Sequence, residues 1–221
     1  MRLPAIRIEV GDDYYSAYQG DKLLKQYLRV SRMLDWIPTP ELVDWKLSMG
    51  KAAANRELKR AEKVGTAVDK AISRYLKDGE WKEPVGSPET LSCAKAAKEW
   101  LGLNPIEPEL VQETLLDSSL EIGGTIDCYD KQYVLRDWKC TKAIRPKHVY
   151  QICTYWLMMR HLNYRVDRAE IVRFDPFLAI HETLPIPELD PAMSYFLTNL
   201  SRAVLGWVAL TKQATLSQEV A

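Results

Sequence analysis

The chain has no net charge to offer: thirty lysines and arginines balance thirty aspartates and glutamates over 221 residues. A global positive field of the kind that gathers polyanions is therefore excluded, and any contact with nucleic acid must come from a local patch. Cysteine is scarce too. The four present (Cys93, Cys128, Cys140 and Cys153) show no Cys-x-x-Cys spacing, which points to reduced, mostly structural thiols. No apolar run approaches the length of a membrane span, and the start, Met1-Arg-Leu-Pro-Ala-Ile-Arg-Ile-Glu-Val10, has no apolar signal core. The expectation is a soluble, cytoplasmic protein with no membrane partner. There is no internal repeat and no low-complexity segment. What remains is ordinary for a globular protein, 47% hydrophobic and 27% charged, in a length that suits one domain with elaborations.

The stretch Glu121-Ile-Gly-Gly-Thr-Ile-Asp127, running on through Arg136-Asp-Trp-Lys139 to Gln151 and Tyr155, reads as two short strands and a helix. Leu120, Ile122, Thr125, Ile126 and Cys128 give an apolar strand-like run. Residues 129–132 are polar and turn-like, and Tyr133-Val-Leu135 resumes β character. A turn centred near Gln132 sets Asp127 and Asp137 opposite one another on antiparallel strands. Asp137 and Lys139, two apart, share one face, with Trp138 on the other. Two ionised carboxylates about 4–5 Å apart repel by roughly 3–4 kcal/mol at an effective dielectric near 20. Lys139 offsets part of this; a hard divalent cation such as Mg²⁺ or Mn²⁺ does it better, and would activate a bound water for attack on a phosphodiester. Lys139 would orient that water or help deprotonate it. The same Asp-x-Lys also describes a surface hairpin with an ordinary cross-strand ion pair of about 0.2–1 kcal/mol.

Ile6–Val10 and residues 14–18 are strands around the Gly11-Asp-Asp13 turn, and residues 23–30 are a third strand or a helix start. Ser31 suits an N-cap for a turn over 33–37, and Thr39 one for a helix beginning at Pro40. Residues 41–78 are helical in two or three pieces. Lys46, Lys51, Arg56, Lys59, Arg60 and Lys63 in this region are either a solvated face or a basic wall leading DNA toward Asp69. A helix starts at Ser87-Pro88-Glu89 and ends at Gly102, and a strand spans 110–116. Lys142, Arg145, Lys147 and His148 form a second basic cluster at the start of the Gln151 helix, suited to holding a phosphate backbone. A lone His148 is more often a polar surface or core group than a ligand. Gln151 and Tyr155 fall on one helix face, where Tyr155 is equally a plain core aromatic. Strands at 165–174 and 177–181 precede a linker over 185–191. A last helix over 192–211 carries an apolar stripe for core or subunit contact, and the tail beyond frays.

Gly-Gly-Thr-Ile-Asp127, then Asp137-Trp-Lys139, then Gln151-x-x-x-Tyr155, with Gly65-Thr-Ala-Val-Asp69-Lys-Ala-Ile upstream, resembles in order and spacing the PD-(D/E)XK nucleases. Within them it is similar to the RecB-like and phage-type exonuclease branch, over roughly residues 30–180. Residues 27–38, with Leu42 and Trp45, resemble more loosely the entry segment of the phage-type enzymes. The resemblance implies an α/β fold: a restriction-endonuclease-like core with a mixed sheet of four to five strands flanked by helices, and an N-terminal β/helical elaboration. Its parts would be 1–64 (elaboration and DNA-guiding helices), 65–183 (catalytic core) and 189–213 (C-terminal helix).

The resemblance further implies a Mg²⁺- or Mn²⁺-dependent deoxyribonuclease acting on single strands or duplex ends, with repair or recombination as its setting. Asp127 and Asp137 would hold the ion with the Trp138 carbonyl. Asp69 would complete a first or second metal position, as would Glu113, which reads equally as a solvent-facing glutamate. Gln151 and Tyr155 would place the strand, with Lys142, Arg145, Lys147, Arg56, Lys59 and Arg60 contacting DNA. Where the family usually carries a histidine ligand, Asp69 stands here; it keeps a hard ligand and biases the site to Mg²⁺, or it marks weakened activity. Nothing after Cys153 could supply the late cysteines of those relatives that carry an iron–sulfur cluster, so none is expected. A structure-specific endonuclease and a non-catalytic DNA-binding protein on the same scaffold remain as alternatives, and a homo-oligomer or a recombination partner stays open.

Overall fold

The computed structural model describes residues 6–219, and their side chains as far as residue 210. Three strands open the chain, β1 (Ile6–Val10), β2 (Tyr14–Gln19) and β3 (Lys22–Arg29). Helices α1 (Val30–Leu34), α2 (Pro40–Met49), α3 (Lys51–Asp78) and α4 (Pro88–Leu103) follow. Then come β4 (Pro108–Asp117), β5 (Ile122–Asp130), β6 (Val134–Cys140), α5 (Pro146–His161), β7 (Arg168–Phe174), β8 (His181–Ile186) and α6 (Pro191–Glu219). All eight strands join one mixed sheet in the order β1-β2-β3-β5-β6-β7-β8, with β4 alongside β5. The β3–β5 and β6–β7 pairs are parallel and the others antiparallel. The fold is α/β with helices on both faces, and the sheet is larger than the four to five strands expected.

Alternation along the strands sorts the core into two layers. In β7, Ala169 and Ile171 pack with α5 residues such as Ile152, Met158 and Met159. Val172 and Phe174 face the other way, toward Val68, Cys93, Ala97 and Trp100 of α3 and α4. Trp138 lies in this second layer, edge-on to Trp100 at 5.6 Å and stacked on Phe174 at 6.4 Å. Such aromatic contacts are worth about 0.5–1.5 kcal/mol beyond area burial. Because Trp138 is anchored there, its neighbours Asp137 and Lys139 are directed to the opposite face.

A buried ion network pins the β5–β6 hairpin. Arg136 contacts Asp130 on β5 at 2.5 Å and Glu170 on β7 at 2.8 Å. The other oxygen of Asp130 accepts the N–H groups of Gln132 and Val134 at 2.9 and 3.0 Å. The turn over 131–133 is thereby fixed, and with it the register Cys128↔Arg136 and Tyr129↔Leu135. That register determines what stands opposite what further along.

Several local expectations change. α1 begins at Val30, which places Ser31 inside it, and Thr39 makes no side-chain cap although Pro40 does occupy the first turn of α2. Gly50, at φ 77°, divides α2 from α3, and the sequence boundary at residue 64 falls within α3. Gly79 ends α3 in the left-handed conformation, and Ser87 caps α4, where the sequence starts that helix. The last strand is His181–Ile186, while 175–180 is a turn closed by Asp175, whose side chain accepts the N–H groups of Phe177 and Leu178. The backbone of α6 stays helical to Glu219. No helix among the described residues is long and apolar enough to cross a membrane.

Candidate active site

The far edge of β5 is divided. β3 takes its start (Leu28↔Ile122, Arg29↔Gly123) and β6 its end (Cys128↔Arg136, Tyr129↔Leu135). Between the two the edge is open, and Asp127 and Asp137 stand one position beyond the last registered β5–β6 pair. The Trp138 N–H donates to Asp127 Oδ2 at 2.8 Å, so the two strands still touch there. Lys139 Nζ lies 2.5 Å from Asp137 Oδ2; the Asp137 side chain is almost wholly buried and that of Lys139 mostly so.

The Gly-Gly pair makes room for this opening. A Cβ at Gly123 would come within 2.7 Å of the Tyr15 ring and 2.9 Å of Leu116, and one at Gly124 would collide with the Tyr155 ring. Tyr155 is thus drawn tightly against β5. Its hydroxyl accepts from Gln151 Nε2 at 3.0 Å. Burial, then the nearby Asp137, pushes its phenol well above the ordinary tyrosine range.

Asp69 approaches from α3. Gln112 Nε2 donates to Asp69 Oδ1 at 2.8 Å and to Asp127 Oδ1 at 3.3 Å, bridging the two carboxylates. Gln112 lies between the registered pairs Val111↔Cys128 and Glu113↔Ile126, hence opposite Asp127, and holds φ at 54°. Glu113 takes its solvent-facing reading: it is exposed and cross-strand from Ile126, and the side chain that contacts the cluster from β4 is Gln112. Simple alternation along β4 gives no sign of the left-handed residue, so the sequence carries no signal for this role.

The electrostatics are those of crowded charge. Burial, reinforced by Asp137, raises the Asp127 carboxyl to about 8. Burial raises Asp69 to about 6, against the pull of Lys139. Burial also lifts Asp137, opposed by Lys139. Burial alone would lower the Lys139 ammonium, but Asp137 and Asp127 outweigh it and raise it. Perturbations of this kind gathered in one place mark functional sites.

Asp137 Oδ1 is buried with no hydrogen-bond partner. A buried carboxylate oxygen without a hydrogen-bond partner, beside a second carboxylate, can serve as a metal ligand, and the set is all hard oxygen. It fits Mg²⁺ or Mn²⁺, which take one or two protein carboxylates and otherwise water and phosphate. Among the described residues no three His, Cys, Asp or Glu side chains form a fuller cage. The Gln112 amide stands where a third carboxylate would have been expected to act.

The other sequence candidates divide. Tyr155 reaches the cluster, and Gln151 is tied to it through the tyrosine hydroxyl. Lys142 is exposed, with its ammonium 4.6 Å from the centre of the Phe177 ring. Lys147 is paired with Asp35 at 2.5 Å, and Arg145, exposed, precedes the first turn of α5. His148 accepts the Arg145 N–H on Nδ1 at 3.2 Å, capping the helix. Burial, and then Lys139, Arg145 and Lys147, hold it neutral with its pKa near 4. On α3, Arg60 is bound to Glu89 and Glu57. Arg56 and Lys59 are exposed but stand about 15–20 Å along the helix from Asp69, and Arg56 points about 140° away around it.

A scan against protein-family models and a search of curated proteins each found no match. Among solved structures, the crystal structure of LHK-Exo in complex with dAMP aligns at 13% identity and a TM-score of 0.49, covering 88% of this chain and 95% of that one. The crystal structure of SSO0001 aligns at 13% identity and a TM-score of 0.39, covering 80% of this chain and 75% of that one. Likeness at this level carries no argument about activity, and the fold class rests on the sheet and helices described above.

Proposed function

We propose that the chain is a Mg²⁺- or Mn²⁺-dependent nuclease that hydrolyses DNA phosphodiesters from an end, with a preference for single strands. The observation that carries this reading is the unpartnered, buried Asp137 Oδ1 beside the Lys139 ammonium and the Asp127 carboxyl. A fold rarely buries such a group without a use for it.

Asp127 and Asp137 would hold the ion, with the Trp138 carbonyl beside them. The bound cation would lower the pKa of a water and stabilise negative charge on a phosphoryl oxygen. Lys139 is an ammonium in the metal-free protein, so its part is to donate hydrogen bonds, orienting the attacking water and neutralising charge that builds on phosphorus. Tyr155, held as a neutral phenol, and Gln151 would line the path of the strand. Arg145 and Lys142, beside the N-terminus of α5, would hold backbone phosphates without reading bases. Asp69 acts on the cluster through Gln112. Attack of the water on phosphorus breaks one ester P–O bond, leaving a hydroxyl on one fragment and a phosphate on the other.

The test uses end-labelled linear and covalently closed circular single-stranded DNA with Mg²⁺ or Mn²⁺. Linear DNA should be lost from its end while the circle persists, and Asp137→Asn should abolish the loss. Cutting of the circle would assign a structure-specific endonuclease. Salt-dependent binding without strand loss in either metal would assign a non-catalytic DNA-binding protein.

A further inference from the structure

We infer that Gln112 restricts this site to a single divalent cation, its side-chain amide filling the gap between Asp69 and Asp127 that a second ion would otherwise occupy. The inference rests on the metal-site reading above and goes beyond it, since it assigns the number of ions and the residue that sets it.

Three observations converge. The first is position. Gln112 faces Asp127 across the β4–β5 pair, between Val111↔Cys128 and Glu113↔Ile126, while Asp69 comes from α3. The amide is therefore interposed between carboxylates from two separate elements. The second is backbone conformation. A φ of 54° in mid-strand is one that a residue with a Cβ holds only when its surroundings over-determine it. The Gln112 side chain lies on the Asp127 face of the pair, and Glu113, its neighbour, is exposed. The third is hydrogen bonding. A primary amide carries two N–H donors, and one nitrogen contacts both carboxylates, at 2.8 Å and 3.3 Å.

A Mg²⁺ or Mn²⁺ shared by those same two oxygens would need each within about 2.0–2.2 Å of its centre. That volume is taken by Nε2. As oriented here the amide presents its N–H end to both carboxylates and adds no anionic ligand, so it meets them as a cation would. Asp137 Oδ1, on the Lys139 side, is left bare, so one ion remains accommodated between Asp127 and Asp137. The positive charge that a second ion would bring to the phosphate must then come from Lys139. Gln112 is accordingly a positioning residue: it ties Asp69 to Asp127 and fixes the stoichiometry without touching substrate.

The experiment counts bound Mn²⁺ by calorimetric titration and electron paramagnetic resonance on the full chain, without DNA. Wild type should bind one ion in the cluster, identified as the ion lost in Asp137→Asn. Gln112→Glu should bind two, with the spin-coupled signal of a carboxylate-bridged pair. Should that variant fold poorly, Gln112→Gly suits the positive φ, removes the amide, and should also admit a second, weaker ion. Two ions in wild type, or one in both Gln112 variants, would overturn the inference while leaving the metal site standing. No ion sensitive to Asp137→Asn would overturn the metal site, and the inference with it.

Discussion

Removing a carboxylate from the cluster should stabilise the metal-free protein, and Asp127→Asn is the sharpest case. Burial and Asp137 hold the Asp127 carboxyl near 8, against an ordinary 3.8. A carboxyl whose folded pKa is raised binds more protons in the folded state than in the unfolded one between those two values. Folding stability therefore falls as pH rises from about 4 to about 8 and levels off above. At 1.36 kcal/mol per unit, the roughly three units between the ordinary value and neutral pH set an upper limit of about 4 kcal/mol on the strain at pH 7. Asparagine keeps an oxygen to accept the Trp138 N–H, which Asp127 accepts at 2.8 Å. It sets an amide against the Gln112 donor, which returns about 1 kcal/mol. A net gain of about 1–3 kcal/mol corresponds to a rise in Tm of roughly 2–12 °C for a chain of this size. The assay is thermal unfolding by circular dichroism in EDTA from pH 5 to pH 9. The variant should melt higher than wild type at pH 8, and the two should converge toward pH 5. Mn²⁺ should reverse the order at pH 8 by stabilising wild type alone. A variant that melts lower than wild type in EDTA at pH 8 would refute the reasoning.

Gly124→Ala should drive a methyl into the Tyr155 ring, costing about 1–3 kcal/mol and several degrees of Tm. An unchanged Tm would mean that the close approach of α5 to β5 is not needed. Arg136→Ala should cost about 3–5 kcal/mol, because it leaves the Asp130 carboxylate buried without its cation, while Glu170 keeps Arg168; chemical denaturation measures this, and a loss under 1 kcal/mol would contradict the role given to the hairpin clamp. Arg145→Ala should weaken binding to single-stranded DNA about equally for all sequences and reduce the salt slope of log K by about 0.7, the value for one phosphate contact. An unchanged slope from a salt titration would remove Arg145 from the DNA path.

Much of the candidate site was legible because it depends on short-range periodicity. A ten-residue spacing around a polar turn placed Asp127 against Asp137, and a spacing of two placed Lys139 beside Asp137; the Asp130–Arg136 clamp shows why that turn forms where the composition suggests. Gln112 was not legible. Its role depends on a side-chain contact with Asp69 across from α3, which local pattern does not encode, and the family resemblance pointed to Glu113 instead. The size of the sheet was missed for two reasons. β8 contains Pro185, which argues against an interior strand but is tolerated at an edge, where β8 pairs only with β7. The parallel pairing of β3 with β5 is a contact across the whole helical segment between them, and local pattern does not encode it. Arg60 reads as a DNA-facing cation until Glu89 of α4 is placed against it.

The account stands or falls on whether Lys139 works beside an ion held by Asp127 and Asp137. The measurement is single-turnover digestion of an end-labelled single strand at saturating Mn²⁺, comparing wild type with Lys139→Ala. A drop of at least about a hundredfold, with Mn²⁺ still bound and the fold intact, is the predicted result. Equal rates for the two proteins, or no digestion by either, would contradict it.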